Sequence, residues 1–579
     1  MEPNFKVSRL SQSLGFIFAL GATAAFAQVT PPDAGSLSTT PVAPPAAPVK
    51  SPTFEVQQQI RPALVAPGGV KVKALSFKIS GNTAFPEATL AALLNPFVGQ
   101  DLDLAGLDQA AGVISQYYRS QGYFVARAYL PAQEIASGNL EIAVIEGRLG
   151  AVKFNRGGTT RLADARAESL LAGAAPIGAP IKEQNIERGL MLLNDLPGVD
   201  VKSTLIPGAT PGSSDLVIET TEGALLTGSV DLDTYGNKYT GTVRVGGTLN
   251  VNDPLGIGDQ FVIRGLTSGR GMNYGRLAYS APIGDVGTKL GLAYSKMRYK
   301  LGKDFEPLNA TGQSSVYSIY AVQPIVRSRN SNLYGTGTYD NKRLTDDQLG
   351  ANVTDKKVGV YGLGLTGDLR DAIGGGGLTA GGLTYSGGNL NLGGNANYAA
   401  NDALTARTDG SYSKVNYNVS RLQRVDDAWS VYAAVSGQTS SKNLDSSEKF
   451  VLGGLGVRAY PQGEASGDSG TLVNLEARYN VPGFDFGNLQ LVGFYDYGSI
   501  KLHKSTWAGW QPVGLPNFPN TYSLSGVGFG VNVFKEGDYS LRSSVAWKIG
   551  SNPARDVLGR DSDSESKNLR FWIQLTKQF

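Results

Sequence analysis

The chain has 579 residues with 52 Lys and Arg against 49 Asp and Glu, and a net charge of +3 is too small for bulk nucleic-acid binding. It has no cysteine and one histidine, which excludes disulfides, thiol catalysis and metal sites built from Cys or clustered His. Glycine supplies 75 of the 579 residues, about 13% against a usual share of about 7%, with no collagen-like period of three.

Residues 1–27 read as an export signal. Lys6 and Arg9 precede a short apolar run from Leu14 to Phe26, and Ala25-Phe26-Ala27 fits a cleavage site. No later stretch has the 18 consecutive apolar residues a helical membrane span needs. A cysteine-free exported chain suits the periplasm or outer membrane of a diderm bacterium. Residues 28–69 hold nine prolines, including Pro31-Pro32 and Pro44-Pro45, and read as an extended linker with room for a short helix over Phe54–Ile60.

Residues 70–147 and 148–223 repeat each other. Leu130-Pro131, Leu140 and Glu146-Gly147 return 76 residues later as Ile206-Pro207, Leu216 and Glu222-Gly223. In the first unit, strand Val70–Ile79 leads to helices over Pro86–Phe97 and Leu104–Gln121. The second helix is apolar on one face at Leu107, Ala110, Ala111, Ile114 and Tyr118. Strands Phe124–Ala132 and Leu140–Arg148 follow. The second unit offers strand Ala151–Asn155, helices Arg161–Ala174 and Lys182–Leu196, and strands Val199–Ile206 and Asp215–Glu222. Each reads β-α-α-β-β, a small α+β domain whose open sheet edge can accept an extended peptide.

From 224 to 579 the helical period is replaced by alternation in segments of about ten residues. Leu226, Gly228, Val230 and Leu232 face one way, and Thr227, Ser229, Asp231 and Asp233 the other. Val473, Leu475, Ala477 and Tyr479 alternate in the same way with Asn474, Glu476 and Arg478. Apolar residues on one face and charges on the other suit a lipid-facing wall around a polar lumen, whereas a soluble sandwich would not need so many strands with one wet face. Sixteen strands are expected, starting near residues 223, 241, 259, 272, 287, 314, 332, 356, 376, 412, 427, 471, 489, 522, 539 and 569. Lys449–Leu452 is a seventeenth candidate. The paired domains and the C-terminus should share the periplasmic side, so the count must be even and Lys449–Leu452 belongs in a long loop between strands 11 and 12. The last strand places Phe571, Ile573, Leu575 and the terminal Phe579 on one face, and it looks like the signal read by barrel-assembly machinery.

That long loop carries the most specific motif, Val457-Arg458-Ala459-Tyr460 amid glycines. Strand 13 supplies Phe494, Asp496 and Gly498, which alternation turns toward the lumen. A carboxylate in a barrel wall needs a partner, and an arginine on an in-folded loop would supply one with two parallel hydrogen bonds. These two motifs, the paired units and the segment Tyr235-Gly236-Asn237-Lys238-Tyr239-Thr240-Gly241 resemble the two-partner secretion transporters. That family includes the haemolysin and filamentous haemagglutinin transporters of the outer-membrane assembly superfamily. The resemblance implies a mainly β fold: a sixteen-stranded antiparallel transmembrane barrel preceded by two small α+β POTRA (polypeptide-transport-associated) domains in the periplasm. It also implies a sixth extracellular loop folded into the lumen and a preceding helix that plugs the pore. Two departures stand out: Ala459 occupies a position where glycine is commonest, and the plug region is short and proline-rich.

Gly362-Leu363-Gly364-Leu365-Thr366-Gly367 matches a dinucleotide fingerprint, but no βαβ unit surrounds it and it reads as a barrel strand. His503 sits in a polar loop near Trp507 and Trp510 with no second histidine. No enzymatic activity, cofactor or metal is expected. The function implied is export across the outer membrane of a large adhesin- or haemolysin-like exoprotein, met unfolded by the POTRA domains. Barrel-assembly machinery and outer-membrane lipids are the other expected partners, and nucleic acid is not. An insertase shares the loop and wall motifs but typically carries more POTRA units. A passive porin explains neither the repeats nor the Arg458 loop.

Overall fold

The computed structural model describes residues 31–38, 53–56, 71–134, 137–156, 160–512 and 515–579. The expected export signal lies outside these, as does most of the linker. Within the linker, a five-residue helix α1 spans Ala34–Ser38 and a strand β1 spans Thr53–Val56. The helix expected over Phe54–Ile60 is therefore replaced by strand at its first residues, and residues 57–60 lie outside the described chain.

The first repeat contains β2 (Ser76–Ser80), α2 (Glu87–Ala92), α3 (Leu104–Ser120), β3 (Arg127–Tyr129) and β4 (Asn139–Ile145). The expected strand Val70–Ile79 is split, because Val72–Lys73 pairs with Asp101–Leu102 instead of joining the sheet. The helix expected over Pro86–Phe97 stops at Ala92, and Asn95–Phe97 forms a 3-10 turn. Pro96 has no N–H to continue the helix, and its ring crowds the preceding turn. Helix α3 starts at Asp103, whose carboxylate accepts from the Gly106 N–H at 2.8 Å, and it buries the expected face, Leu107, Ala110, Ala111, Ile114 and Tyr118. The second repeat contains β5 (Arg148–Arg156), α4 (Asp164–Ala174), α5 (Glu183–Asn194), β6 (Val199–Pro207) and β7 (Ser213–Glu222).

The repeated Glu-Gly pair has the same task in each unit. Glu146 accepts from the backbone N–H groups of Thr83 at 2.6 Å and Ala84 at 2.7 Å and from the Tyr118 hydroxyl at 2.9 Å, tying the end of β4 to the entrance of α2. Burial alone would raise its carboxyl, but the hydrogen bonds from Thr83 and Ala84 hold it below its ordinary value. Glu222 accepts from the Arg161 N–H at 2.7 Å and pairs with the Arg161 guanidinium at 3.0 Å, ahead of α4.

The remainder forms a closed barrel of sixteen antiparallel strands, from Leu226–Asp233 to Leu569–Gln578, the last pairing with the first. Observed starts fall within a few residues of those expected: 226, 244, 260 and 272 for the first four, and 521, 539 and 569 for the last three. Phe450–Val451 pairs with Ser466–Gly467 inside the long loop and stays outside the barrel. Val230, Leu292, Tyr317 and Phe571 are exposed on the outer wall, while Asp231 and Asp233 are buried on the inner face. The glycine-rich segment Gly362–Gly367 lies within the eighth strand, Ala351–Asp371. Short turns such as residues 284–287 and 328–330 lie at the end facing the paired domains. Residues 392–409, 441–468, 502–520 and 550–568 make long loops at the other end. A cavity of about 3530 Å³ runs from Asp195–Asp200 of the second repeat into the barrel as far as Arg458.

Candidate functional site

Residues 441–468 connect the eleventh strand, Trp429–Ser440, to the twelfth, Ser469–Val481, and fold back into the barrel. The tip is held by its own backbone, with the Val457 N–H donating to Leu452 O at 2.7 Å and the Tyr460 N–H to Val457 O at 3.0 Å. Leu452, Val457, Ala459 and Tyr460 are completely buried, so the tip packs as core rather than as surface loop. The wall makes room for it with glycine. A Cβ on Gly498 would lie 2.6 Å from Leu452, and one on Gly526 would lie 2.5 Å from the Ala459 methyl. The alanine in place of the commoner glycine is thus accommodated by a glycine across the gap.

Arg458 reaches the inner wall with all three of its guanidinium nitrogens hydrogen-bonded. Its Nε and Nη2 donate to Asp496 Oδ2 at 2.9 Å and Oδ1 at 2.7 Å, and its backbone N–H adds a third bond to Oδ2 at 3.0 Å. Its Nη1 donates to Glu476 at 2.8 Å. The guanidinium lies 3.5 Å from the Phe494 ring centroid, a cation–π arrangement. Asn474 completes the cluster, donating to Asp496 at 2.7 Å and to Gly456 O at 2.9 Å, and Arg478 pairs with the far oxygen of Glu476 at 2.7 Å. Two guanidinium groups face two carboxylates, so the buried charges balance. Burial opposes the Arg458 charge, but the hydrogen bonds and charge of Asp496 hold its guanidinium above its ordinary value.

The structure brings together all the residues expected at the loop and the wall, Val457 to Tyr460 with Phe494, Asp496 and Gly498. The C-terminal residues lie elsewhere: Phe571, Leu575 and Phe579 are exposed on the outer wall, and Ile573 pairs with Ser543 across the last hairpin. Their neighbour Trp572 points inward, where its indole N–H donates to Arg458 O at 2.7 Å and its ring stacks on Tyr235 at 5.4 Å. The Tyr235–Gly241 segment therefore touches the site from the first loop.

Sequence reasoning missed Glu476, Asn474 and Trp572. Alternation puts Asn474 and Glu476 on the inner face, and they stand opposite Asp496 and Phe494 in register. Two more anchors were also missed. Glu448, at the base of the loop, pairs with Lys342 at 2.7 Å and Lys414 at 2.9 Å, across to the seventh strand Ser331–Gln348 and the tenth strand Gly410–Arg424. Burial works against its charge, yet the two ammonium groups pull its carboxyl down to about 2. Asp33, just ahead of α1, pairs with Lys356 at 2.9 Å, and Lys356 pairs with Asp445 of the loop at 2.8 Å. The Ala34 N–H donates to Asp346 at 2.8 Å. Helix α1 thus sits inside the barrel against the base of the loop.

The family model for the haemolysin secretion/activation protein ShlB/FhaC/HecB matches residues 212–533. The chain belongs to that family. A ShlB-type POTRA domain model matches residues 73–147. Across the whole of both chains, the protein is 28% identical to the heme/hemopexin transporter protein HuxB of Haemophilus influenzae strain 86-028NP. It is 25% identical to the outer membrane transporter CdiB of Dickeya dadantii, over 75% of this chain and 78% of the relative. The solved structure of CdiB from Escherichia coli shares the fold, with a TM-score of 0.71 and 21% identity over 90% of this chain and 93% of that one. Like its family, the protein is an outer-membrane transporter whose POTRA domains lie in the periplasm. The loop over residues 441–468 is then the sixth extracellular loop.

Proposed function

We infer that the protein exports a partner exoprotein across the outer membrane through its barrel. The observation that carries this reading is the sixth loop, folded into the lumen and held by Arg458 between Asp496 and Glu476. A passive pore has no use for an in-folded loop that engages its arginine this fully. Its cavity also opens directly onto the second POTRA domain, so a chain delivered there has a continuous path inward. The cargo arrives unfolded and docks as an extended segment on the POTRA edges. No cofactor takes part, and folding of the cargo outside the cell biases the movement. Barrel-assembly machinery inserts the transporter into the outer-membrane lipids through its aromatic C-terminal strand.

Co-expression with an exoprotein encoded beside it, scored as cargo at the cell surface, tests this function. The intact chain delivers the cargo. Removing residues 70–147 or 148–223 leaves a heat-modifiable barrel in the membrane and no cargo outside. Surface delivery at the intact level by either deletion overturns docking on the POTRA domains, and no delivery by the intact chain overturns export itself.

A further inference from the structure

The two repeats differ at one sheet edge. In the first, the sheet runs β2-β4-β3, and the three-residue β3 is an edge that carries nothing among the described residues. In the second, the matching strand β6 is nine residues long, and its outer edge is already taken. Strand β1 lies along it in parallel, pairing Thr53 with Lys202, Phe54 with Ser203, Glu55 with Thr204 and Val56 with Leu205. This is strand addition performed by the chain on itself, with main-chain pairing available to any extended segment. It covers only four of the nine residues of β6, so a longer segment forms a longer ladder on the same edge.

The position of β6 gives this edge a direction. Its start, at Val199 and Asp200, lines the mouth of the lumen cavity together with Pro197 and Gly198. Its far end turns back toward the first repeat, where the Gly212 carbonyl accepts from the Arg148 N–H at 2.9 Å. Any segment added parallel to β6 therefore has its N-terminal end at the lumen mouth. Pro207 limits the ladder at the other end, because it has no N–H to offer.

We propose that the outer edge of β6 is the docking site for an extended segment of the exported partner, added as a parallel strand with its N-terminal end at the lumen, and that β1 occupies this edge until the partner displaces it. The proposal rests on the export function inferred above and names the edge, the direction and the internal competitor. The partner recognised is a polypeptide in extended form. Its backbone supplies the pairing, and the exposed Asp200 and Lys202 meet its outward side chains.

The chain has no cysteine, so a pair introduced at Thr53→Cys and Lys202→Cys, opposite each other in register, reports this contact alone. Under oxidising conditions the pair cross-links and surface delivery of the partner falls at least ten-fold, with unchanged heat-modifiable barrel. A reductant restores delivery, and delivery by each single-cysteine variant is the same under oxidising and reducing conditions. Failure of the cross-link to form, or undiminished export by the cross-linked protein, overturns the proposal. In a second measurement, a photo-reactive benzoylphenylalanine replaces Lys202 during export. It captures the partner, and capture rises at least two-fold when Phe54→Pro removes a backbone N–H from β1. Absence of capture in both backgrounds overturns the docking edge. The unaltered chain separates the two claims: if it exports while the cross-linked pair exports equally well, only the edge falls. If it exports nothing, the export function falls.

Discussion

Arg458 ties the loop tip to the wall by an ion pair, and Asp496 is completely buried beneath it. Removing one partner of a buried pair typically costs about 3–5 kcal/mol, because the other charge is left without water or a counter-ion. Arg458→Ala and Asp496→Ala should each make the loop protease-sensitive and abolish most export while the barrel still inserts. Arg458→Lys should rescue only in part, since a single ammonium cannot span Asp496 and Glu476 at once. A double-mutant cycle on loop proteolysis should return a coupling well above 1 kcal/mol, whereas strictly additive losses would mean the contact does no work. This pair was legible because an isolated inward carboxylate and a glycine-flanked arginine both demand a partner. Glu476 was not, because alternation assigns a face but not a register, and a lumen carboxylate beside Arg478 passes for a solvated charge. His503 carries a separate expectation. Its ring lies 4.6 Å from Trp507 and 5.7 Å from Trp510, and its Nδ1 is buried with no protein partner. Burial, aided by the nearby Lys449 charge, pushes its imidazole down to about 4. The folded loop therefore favours the neutral ring. Its contribution is complete above the ordinary value of 6.5 and is lost as pH falls from there toward about 4. Tryptophan fluorescence should change across that window, and His503→Phe should remove the change.

The last strand was legible as an element because a period of two survives even where the sequence varies. Its closing contact was not, because that depends on a residue more than 300 positions away. Phe579 exchanges backbone hydrogen bonds with Gly228 at 2.9 and 3.0 Å, and its ring lies where a Cβ on Gly228 would sit, 2.6 Å from the ring edge. The exposed aromatic covers a glycine on the first strand and so fastens the seam on its lipid side. Deleting Phe579 should lower the amount of heat-modifiable barrel and leave protein stalled in the periplasm, as read by fractionation. Undiminished insertion would make the terminal strand an ordinary one. The linker shows the opposite case. Five residues are too few to display a helical period, and α1 exists because Asp346 and Lys356 of the barrel meet its first residues. Strand β1 likewise depends on the edge of β6 rather than on local preference, which is why a helix was expected there.

The second POTRA domain sits over the lumen mouth through a small set of charged contacts, and none of them follows from composition. Asp195, at the end of α5, receives two hydrogen bonds of 2.7 Å from Arg327 at the base of the sixth barrel strand, Thr311–Arg327. Lys289 donates to the Asp195 carbonyl at 2.8 Å, and Arg188 donates to the carbonyls of Pro324 at 2.9 Å and Ile325 at 3.0 Å. Glu187 of α5 also pairs with Arg329 at 3.5 Å, but that pair is longer and more exposed than Asp195–Arg327, so the latter should dominate. Arg327→Ala leaves Asp195 facing Lys289 alone. The expected loss is about 3 kcal/mol, roughly a hundred-fold shift toward an undocked domain. Amide exchange in Glu183–Asn194 should quicken and export should fall, while barrel insertion and the Arg458 contact stay intact. Exchanging the charges, Asp195→Arg with Arg327→Asp, should recover part of both readouts because the forked geometry is kept with its polarity reversed. Export unaffected by Arg327→Ala would show that cargo can find the lumen without a fixed path. A fixed path is what the structure offers, since the same α5–β6 connection that carries Asp195 also leads into the strand that holds β1.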